Sequence, residues 1–229
     1  RQGECFLKRR WLICFFGSVD ENIKAQLQLG LGDYEQYKIF MDRRIYLTSE
    51  IVTTDDEDNG DDYYRSATMR AVEDIMDFNR ADMEVPVKDR KPIQIYINSP
   101  GGNIVEGFSL LSAIELSKTP IYTINIGQWS SMAFLIGIAG HKRFSLPYMT
   151  FLMHDGSNGV WDSGSKAQDR MKFDDRFSRE VIKAHVLKHS KMKATEYDAL
   201  VRVEYYMLPE DALDHGFIDE IVTDINIIL

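Results

Sequence analysis

Ile93-Gln94-Ile95-Tyr96-Ile97-Asn98-Ser99-Pro100-Gly101-Gly102, with Asn103 and the apolar run from Ile104 behind it, is the stretch whose reading decides the fold. Residues 93–97 read as a β-strand, Pro100-Gly101-Gly102 as a tight turn, and 104–116 as a helix opening directly after it. The same order repeats at once: a strand over 121–126, the segment Gly127-Gln128-Trp129-Ser130-Ser131-Met132, and a helix over 131–139. Alternating strands and helices predict an α/β fold. The turns also carry chemistry. Glycines at a helix start leave backbone N–H groups bare and approachable, which an oxyanion requires. Ser131 stands at the mouth of the second helix, and His154 ends a third strand over 148–153. A nucleophile, a base and oxyanion donors are the parts of acyl transfer.

Composition narrows the alternatives. A chain of 229 residues, 44% hydrophobic and 28% charged, has enough apolar material for one sizeable core and a small appendage. Its net charge of -9 argues against nucleic acid as a partner, which calls for a basic stripe. No run of about 18 apolar residues occurs, so no membrane-spanning helix is expected. Cys5 and Cys14 supply neither a disulfide framework nor a metal-ligand set, and the expected location is the cytoplasm. Lys8-Arg9-Arg10 before Trp11–Phe16 has the charged-then-apolar order of a short signal peptide, but the apolar run is brief and no small-residue cleavage site follows. Export is not the expectation.

Residues 1–33 read as an N-terminal extension and 34–229 as one domain, with a first strand over 44–47. An acidic insertion at about 53–62 holds Asp55, Asp56, Glu57, Asp58, Asp61 and Asp62 around Asn59-Gly60. Its spacing matches no calcium loop, so a solvated insertion is expected. A helix over 63–78 and a charged loop over 79–91 lead into the first strand-turn-helix unit. Further on, Lys166–His189 reads as one long charged helix with a partial apolar stripe. Helices over 194–203 and 210–215 precede a last strand over 217–222.

Each site residue also has a plainer reading. A serine before an apolar helix is most often an N-cap. A histidine ending a buried strand is often a satisfied core group. His185 and His189, four apart on the long helix, have the spacing of a metal pair, but no third ligand is apparent and solvent-facing neighbours are expected. His141 and His215 sit beside glycines at predicted helix ends, where a cation interacts well with the helix dipole.

Ile97–Gly102, Gly127–Met132, Lys142–Pro147, Phe151–His154 and Leu208–Ile221 together resemble the proteolytic subunit of the ATP-dependent Clp protease, in order and spacing, over roughly 37–222. The resemblance implies a crotonase-like right-handed spiral of ββα units with a long protruding helix. It implies a serine endopeptidase acting on unfolded polypeptides or short peptides, with Ser131 as nucleophile, His154 as base, and the Gly102 and Met132 amides as oxyanion donors. Counting back from Gly216 places the family's acid at Glu204, where the family has Asp; Asp198 and Asp155 are the rival carboxylates. The histidine is followed by Asp155-Gly156 where the family usually has Gln-Pro.

The resemblance further implies a homo-oligomer of stacked heptameric rings, with the long helix joining ring to ring. A separate AAA+ unfoldase would use the ATP, since the chain has no P-loop and no cofactor of its own is expected. Tyr96 matches an aromatic of the family's unfoldase-docking cleft, and Gln94 stands where another is common. A catalytically weak or inactive ring subunit is the alternative, motivated by Glu204, Trp129 and Asp155. A crotonase-type acyl-CoA enzyme, which shares the Gly-Gly turn, is the third reading.

Overall fold

The computed structural model describes residues 38–53, 66–156 and 163–229. The expected extension over 1–33 and most of the acidic insertion lie outside the described residues.

A seven-stranded sheet organises the chain: β1 (Arg44–Leu47), β2 (Ile93–Ser99), β3 (Ile121–Ser130), β4 (Lys142–Ser145), β5 (Thr150–Met153), β6 (Tyr205–Met207) and β7 (Glu220–Ile221). The path β1-β2-β3-β4-β7 is parallel throughout. Parallel strands need helical crossovers on the sheet faces, which is why β2 reads as a nearly continuous apolar run. Ile93, Ile95 and Ile97 join the main core with Leu110, Ile114, Trp129, Phe134, Phe151 and Phe217. Tyr96 and Ile124 point the other way, into a smaller cluster with Phe144, Val222 and Ile228.

β3 is the pivot. Its first half pairs with β4 through Tyr122–Asn125, and its last three residues pair with β5 through Gln128–Ser130. The change of partner falls at Gly127, where an added Cβ would come within 2.2 Å of the Asn98 side-chain oxygen. Asn125 holds the branch, accepting from the Gly127 N–H at 3.0 Å and donating to the Thr150 carbonyl at 3.1 Å. Splitting the sheet here lets β5 run on beside the end of β3. That places the residues after both strands close together.

Helices α1 (Ala67–Ala81), α2 (Ile104–Leu116) and α3 (Met132–Ile138) pack against the sheet. Ser66 caps α1 by accepting from the Met69 N–H, and its hydroxyl donates to Glu106 of α2 at 2.7 Å. Asn103 caps α2, accepting from the Val105 and Glu106 amides. The expected long helix is helical throughout but not uniform: α4 (Gly164–Phe177), a π-helical turn (Ser178–Ile182) and α5 (Lys183–Lys188). No residue of α4 is buried, and Met171 and Phe173 are exposed. α6 (Ala194–Leu200), α7 (Pro209–Asp214) and a 3-10 turn (Ile225–Ile228) complete the chain.

Three expectations need correction. β4 and β6 are strands that the sequence reading passed over; at four and three residues they are too short to show a period. His141 is no helix-end cation, since its Nδ1 accepts the Ile121 N–H at 2.9 Å and burial lowers its pKa. His185 is not solvent-facing: it is buried, with the Glu115 carboxylate against its ring.

Candidate active site at the ends of β3 and β5

Three turns converge where β2, β3 and β5 end. Gly101 and Gly102 have φ of +95° and +136°, backbone that side chains rarely adopt. Contact enforces glycine as well. A Cβ at Gly101 would lie 2.7 Å from Ser131 Cβ and 2.9 Å from the Met132 amide nitrogen, and one at Gly102 would lie 2.2 Å from the Ile51 carbonyl oxygen. The turn is therefore wedged between the Ile51 segment and the start of α3. Its outer amides are engaged: the Gly101 N–H donates to Ser99 Oγ at 3.1 Å and the Asn103 N–H to the Ile51 carbonyl at 2.7 Å. Among the described residues the Gly102 amide, between them, donates to no acceptor.

Ser131 lies between β3 and α3 with φ 56° and ψ -124°. A non-glycine residue there is strained, and such strain persists only where surrounding structure enforces it. The Ser131 N–H is tied to the Leu152 carbonyl at 3.0 Å, anchoring the turn to β5. Its side chain makes no capping bond to α3, which removes the N-cap reading. The first amide of a helix has no acceptor within the helix, and Met132 holds that position in α3. The neighbouring hydroxyl differs: Ser130 is buried and donates to Gln128 Oε1 at 3.1 Å.

His154 leaves β5 just beyond Met153. Its Nδ1 lies 3.1 Å from Glu204 Oε1. Antiparallel β6 accounts for that approach. Met153 pairs with Tyr205, so the preceding Glu204 is carried to His154 by the ladder's register. A carboxylate only accepts, so in the neutral ring Nδ1 carries the proton and Nε2 the lone pair. Nε2 is buried and has no hydrogen-bond partner among the described residues. The Glu204 side chain is 58% exposed, against 18% for His154. Asp198, one rival acid, is engaged elsewhere, accepting from Lys183 Nζ at 2.6 and 2.7 Å. Asp155 follows His154 directly and is exposed. All five expected site residues, Gly102, Ser131, Met132, His154 and Glu204, thus lie on the converging turns and the β5–β6 ladder.

A family model described as Clp protease matches residues 82–224. The chain belongs to the Clp protease family. Membership points to a peptidase, and the matched segment includes Gly102, Ser131, Met132, His154 and Glu204. The mixed α/β architecture with its parallel sheet is compatible with that family. No helix among the described residues is long and apolar enough to cross a membrane.

The sequence reading missed two features that shape the site. In the sequence Gly101 reads as a turn residue, yet it is the glycine that admits the Ser131 turn. β6 was unseen, yet it carries Glu204. A Gly-Gly pair in which each glycine faces a different neighbour leaves no trace in local spacing.

Proposed function

We propose that the chain is a serine endopeptidase that cleaves unfolded polypeptides or short peptides through an acyl-enzyme. Ser131 Oγ attacks the scissile carbonyl carbon while His154 Nε2 takes the hydroxyl proton. Negative charge gathers on the carbonyl oxygen, facing the Gly102 and Met132 amides. The C–N bond then breaks, the amine leaves with the proton returned by His154, and the acyl group stays on Ser131. Water, deprotonated by the same nitrogen, attacks the ester and releases the acid. Glu204 holds the ring in the tautomer that leaves Nε2 basic and offsets the imidazolium charge.

One observation carries this reading. Ser131 is held at a strained positive φ, without the capping bond that would explain a serine there. Nε2 of His154 has no hydrogen-bond partner among the described residues, and catalytic bonds often tighten only once substrate is bound. That same open nitrogen, with the exposed Glu204, favours a second reading: a catalytically weak or inactive ring subunit. Hydrolysis of short fluorogenic peptides by the purified chain separates the two. Turnover lost in Ser131→Ala supports the peptidase, and no turnover above the Ser131→Ala background supports the inactive subunit.

The proposal extends to assembly as stacked seven-membered rings in the cytoplasm, with unfolding and ATP hydrolysis left to a separate AAA+ partner. The exposed Met171 and Phe173 on α4, a helix without a buried residue, support a partner for that surface. Docking of an unfoldase at Tyr96 would have to displace the 225–228 turn. Tyr96 is buried, and its hydroxyl and the Gln94 side-chain amide both donate to the Ile228 carbonyl. Light scattering that finds a stable monomer at micromolar concentration would contradict the ring.

A further inference from the structure

Away from the proposed active site, α5 carries His185 and is followed by its C-cap residue His189, four residues on, so both imidazoles lie on one face. Their ring centroids are 4.6 Å apart. Facing them is Glu115, from the last turn of α2. Glu115 Oε1 lies 3.2 Å from His185 Nδ1 and 2.8 Å from His189 Nε2. One ligand atom from each of the three residues falls within 4.8 Å of the others.

The hydrogen bonding around His185 leaves one contact unresolved. Its Nε2 lies 2.9 Å from the Leu135 carbonyl oxygen, which only accepts, so the proton is on Nε2. In the neutral ring Nδ1 then bears a lone pair, and that lone pair faces a carboxylate. Glu115 Oε1 thus faces both imidazoles at once, at 2.8 Å from His189 and 3.2 Å from His185. A cation between the three atoms would turn this opposed pair into shared ligation.

We propose that Glu115, His185 and His189 form a binding site for a zinc-class divalent cation that cross-links α2 to α5. Four-coordinate zinc with bonds of about 2.0–2.1 Å separates neighbouring ligand atoms by about 3.3 Å, near the 3.2 and 2.8 Å from Glu115 Oε1 to the two imidazoles, and the three atoms all fall within 4.8 Å. Ligating histidines usually donate their other ring N–H to a backbone carbonyl, as His185 does to Leu135. A cavity of about 650 Å³, lined in part by Glu115, His189, Lys188 and Asp219, opens beside the cluster and gives a hydrated ion a way in and a water as fourth ligand. Two cations stand near. Arg143 is paired with Asp219 at 2.7 Å, and Lys188 Nζ takes the second Glu115 oxygen at 2.8 Å, leaving Oε1 to the imidazoles. Lys188 therefore opposes a metal electrostatically without occupying its place.

The test titrates Zn²⁺ into chelator-treated protein against a chromophoric competitor, with thermal unfolding in parallel. The expected result is one tight equivalent per chain and a raised midpoint, both lost in His189→Ala and in the shape-preserving Glu115→Gln, with tighter binding in Lys188→Ala. Retention of the tight equivalent in both ligand variants would place the ion elsewhere, at His154 or the cysteines, and overturn the proposal, as would no saturable binding. Co²⁺ gives a readout that needs no variant. Intense visible absorption of a four-coordinate ion supports the site, and only weak six-coordinate absorption counts against it.

Discussion

Two histidine–carboxylate pairs sit in this chain, and what surrounds them separates their chemistry. At the end of β5, His154 leans through Nδ1 on an exposed Glu204, its Nε2 is buried without a partner among the described residues, and Ser131, tied to β5 through Leu152, is held at a positive φ. Between α2 and α5, His185 gives its Nε2 proton to a helix carbonyl, and its other nitrogen meets a carboxylate already bonded to Lys188 and His189. The first pair leaves a ring nitrogen without a hydrogen bond among the described residues, on a strand end joined to the Ser131 turn; the second pair engages its groups with one another. A histidine beside an acid is thus no sign of catalysis by itself. What distinguishes the two is which ring nitrogen is left free and what stands next to it.

The comparison breaks most visibly at the serines. Ser131→Ala is expected to abolish peptide hydrolysis with assembly intact, and Ser130→Ala to keep most of the rate, because the Ser130 hydroxyl is turned to Gln128. Peptidase assays on the two variants check this, and swapped outcomes would move the nucleophile by one residue. Glu204→Gln comes next. In serine proteases the corresponding carboxylate-to-amide change costs on the order of 10⁴ in rate. An exposed Glu should cost less, roughly tenfold to a thousandfold. Glu204→Asp should be tolerated better, while Asp198→Asn and Asp155→Asn should leave the rate near wild type. A silent Glu204→Gln with a damaging Asp198→Asn or Asp155→Asn would reassign the acid.

Gly101→Ala tests positioning. Its methyl would push on Ser131 Cβ and the Met132 amide, and a misplacement of about 1 Å costs on the order of 10² in rate. Peptidase kinetics beside circular dichroism would separate that loss from unfolding. The smallest expected effect concerns stability. Asp82 accepts from Arg43 at 2.6 and 2.7 Å and from Thr119 at 2.9 Å. Its burial raises the pKa, but these bonds outweigh it and hold the carboxyl below its ordinary value. The stabilisation is present above the unfolded carboxylate pKa and is lost as pH falls through the lower folded one. Asp82→Asn should cost about 3 kcal/mol near neutral pH, and the gap in thermal midpoint should narrow below about pH 4. A gap that widens in acid would contradict the assignment.

Much of the central fold was legible because its signals are local. The helix over 104–116 follows an apolar strand, a Gly-Gly turn and an Asn cap, and the structure places it at those residues. The strand over 44–47 was likewise read at its bounds. What escaped depends on neighbours distant in sequence. β3 runs on to Ser130 because β5 takes over its edge beyond Gly127, and nothing in 127–130 announces a second partner. Glu204 was reached only by counting within a resemblance, while the force that carries it to His154 is a three-residue ladder. The histidine pair at 185 and 189 was visible by spacing, but Glu115 stands some 70 residues earlier and no helical period links it to them.

The most direct test is covalent. The wild-type chain, treated with a fluorophosphonate probe and mapped by peptide mass spectrometry, should carry one adduct on Ser131, absent from Ser131→Ala and slowed in Glu204→Gln. A folded, assembled protein with no adduct, or with its adduct on Ser130, would contradict the assignment of Ser131 as the nucleophile.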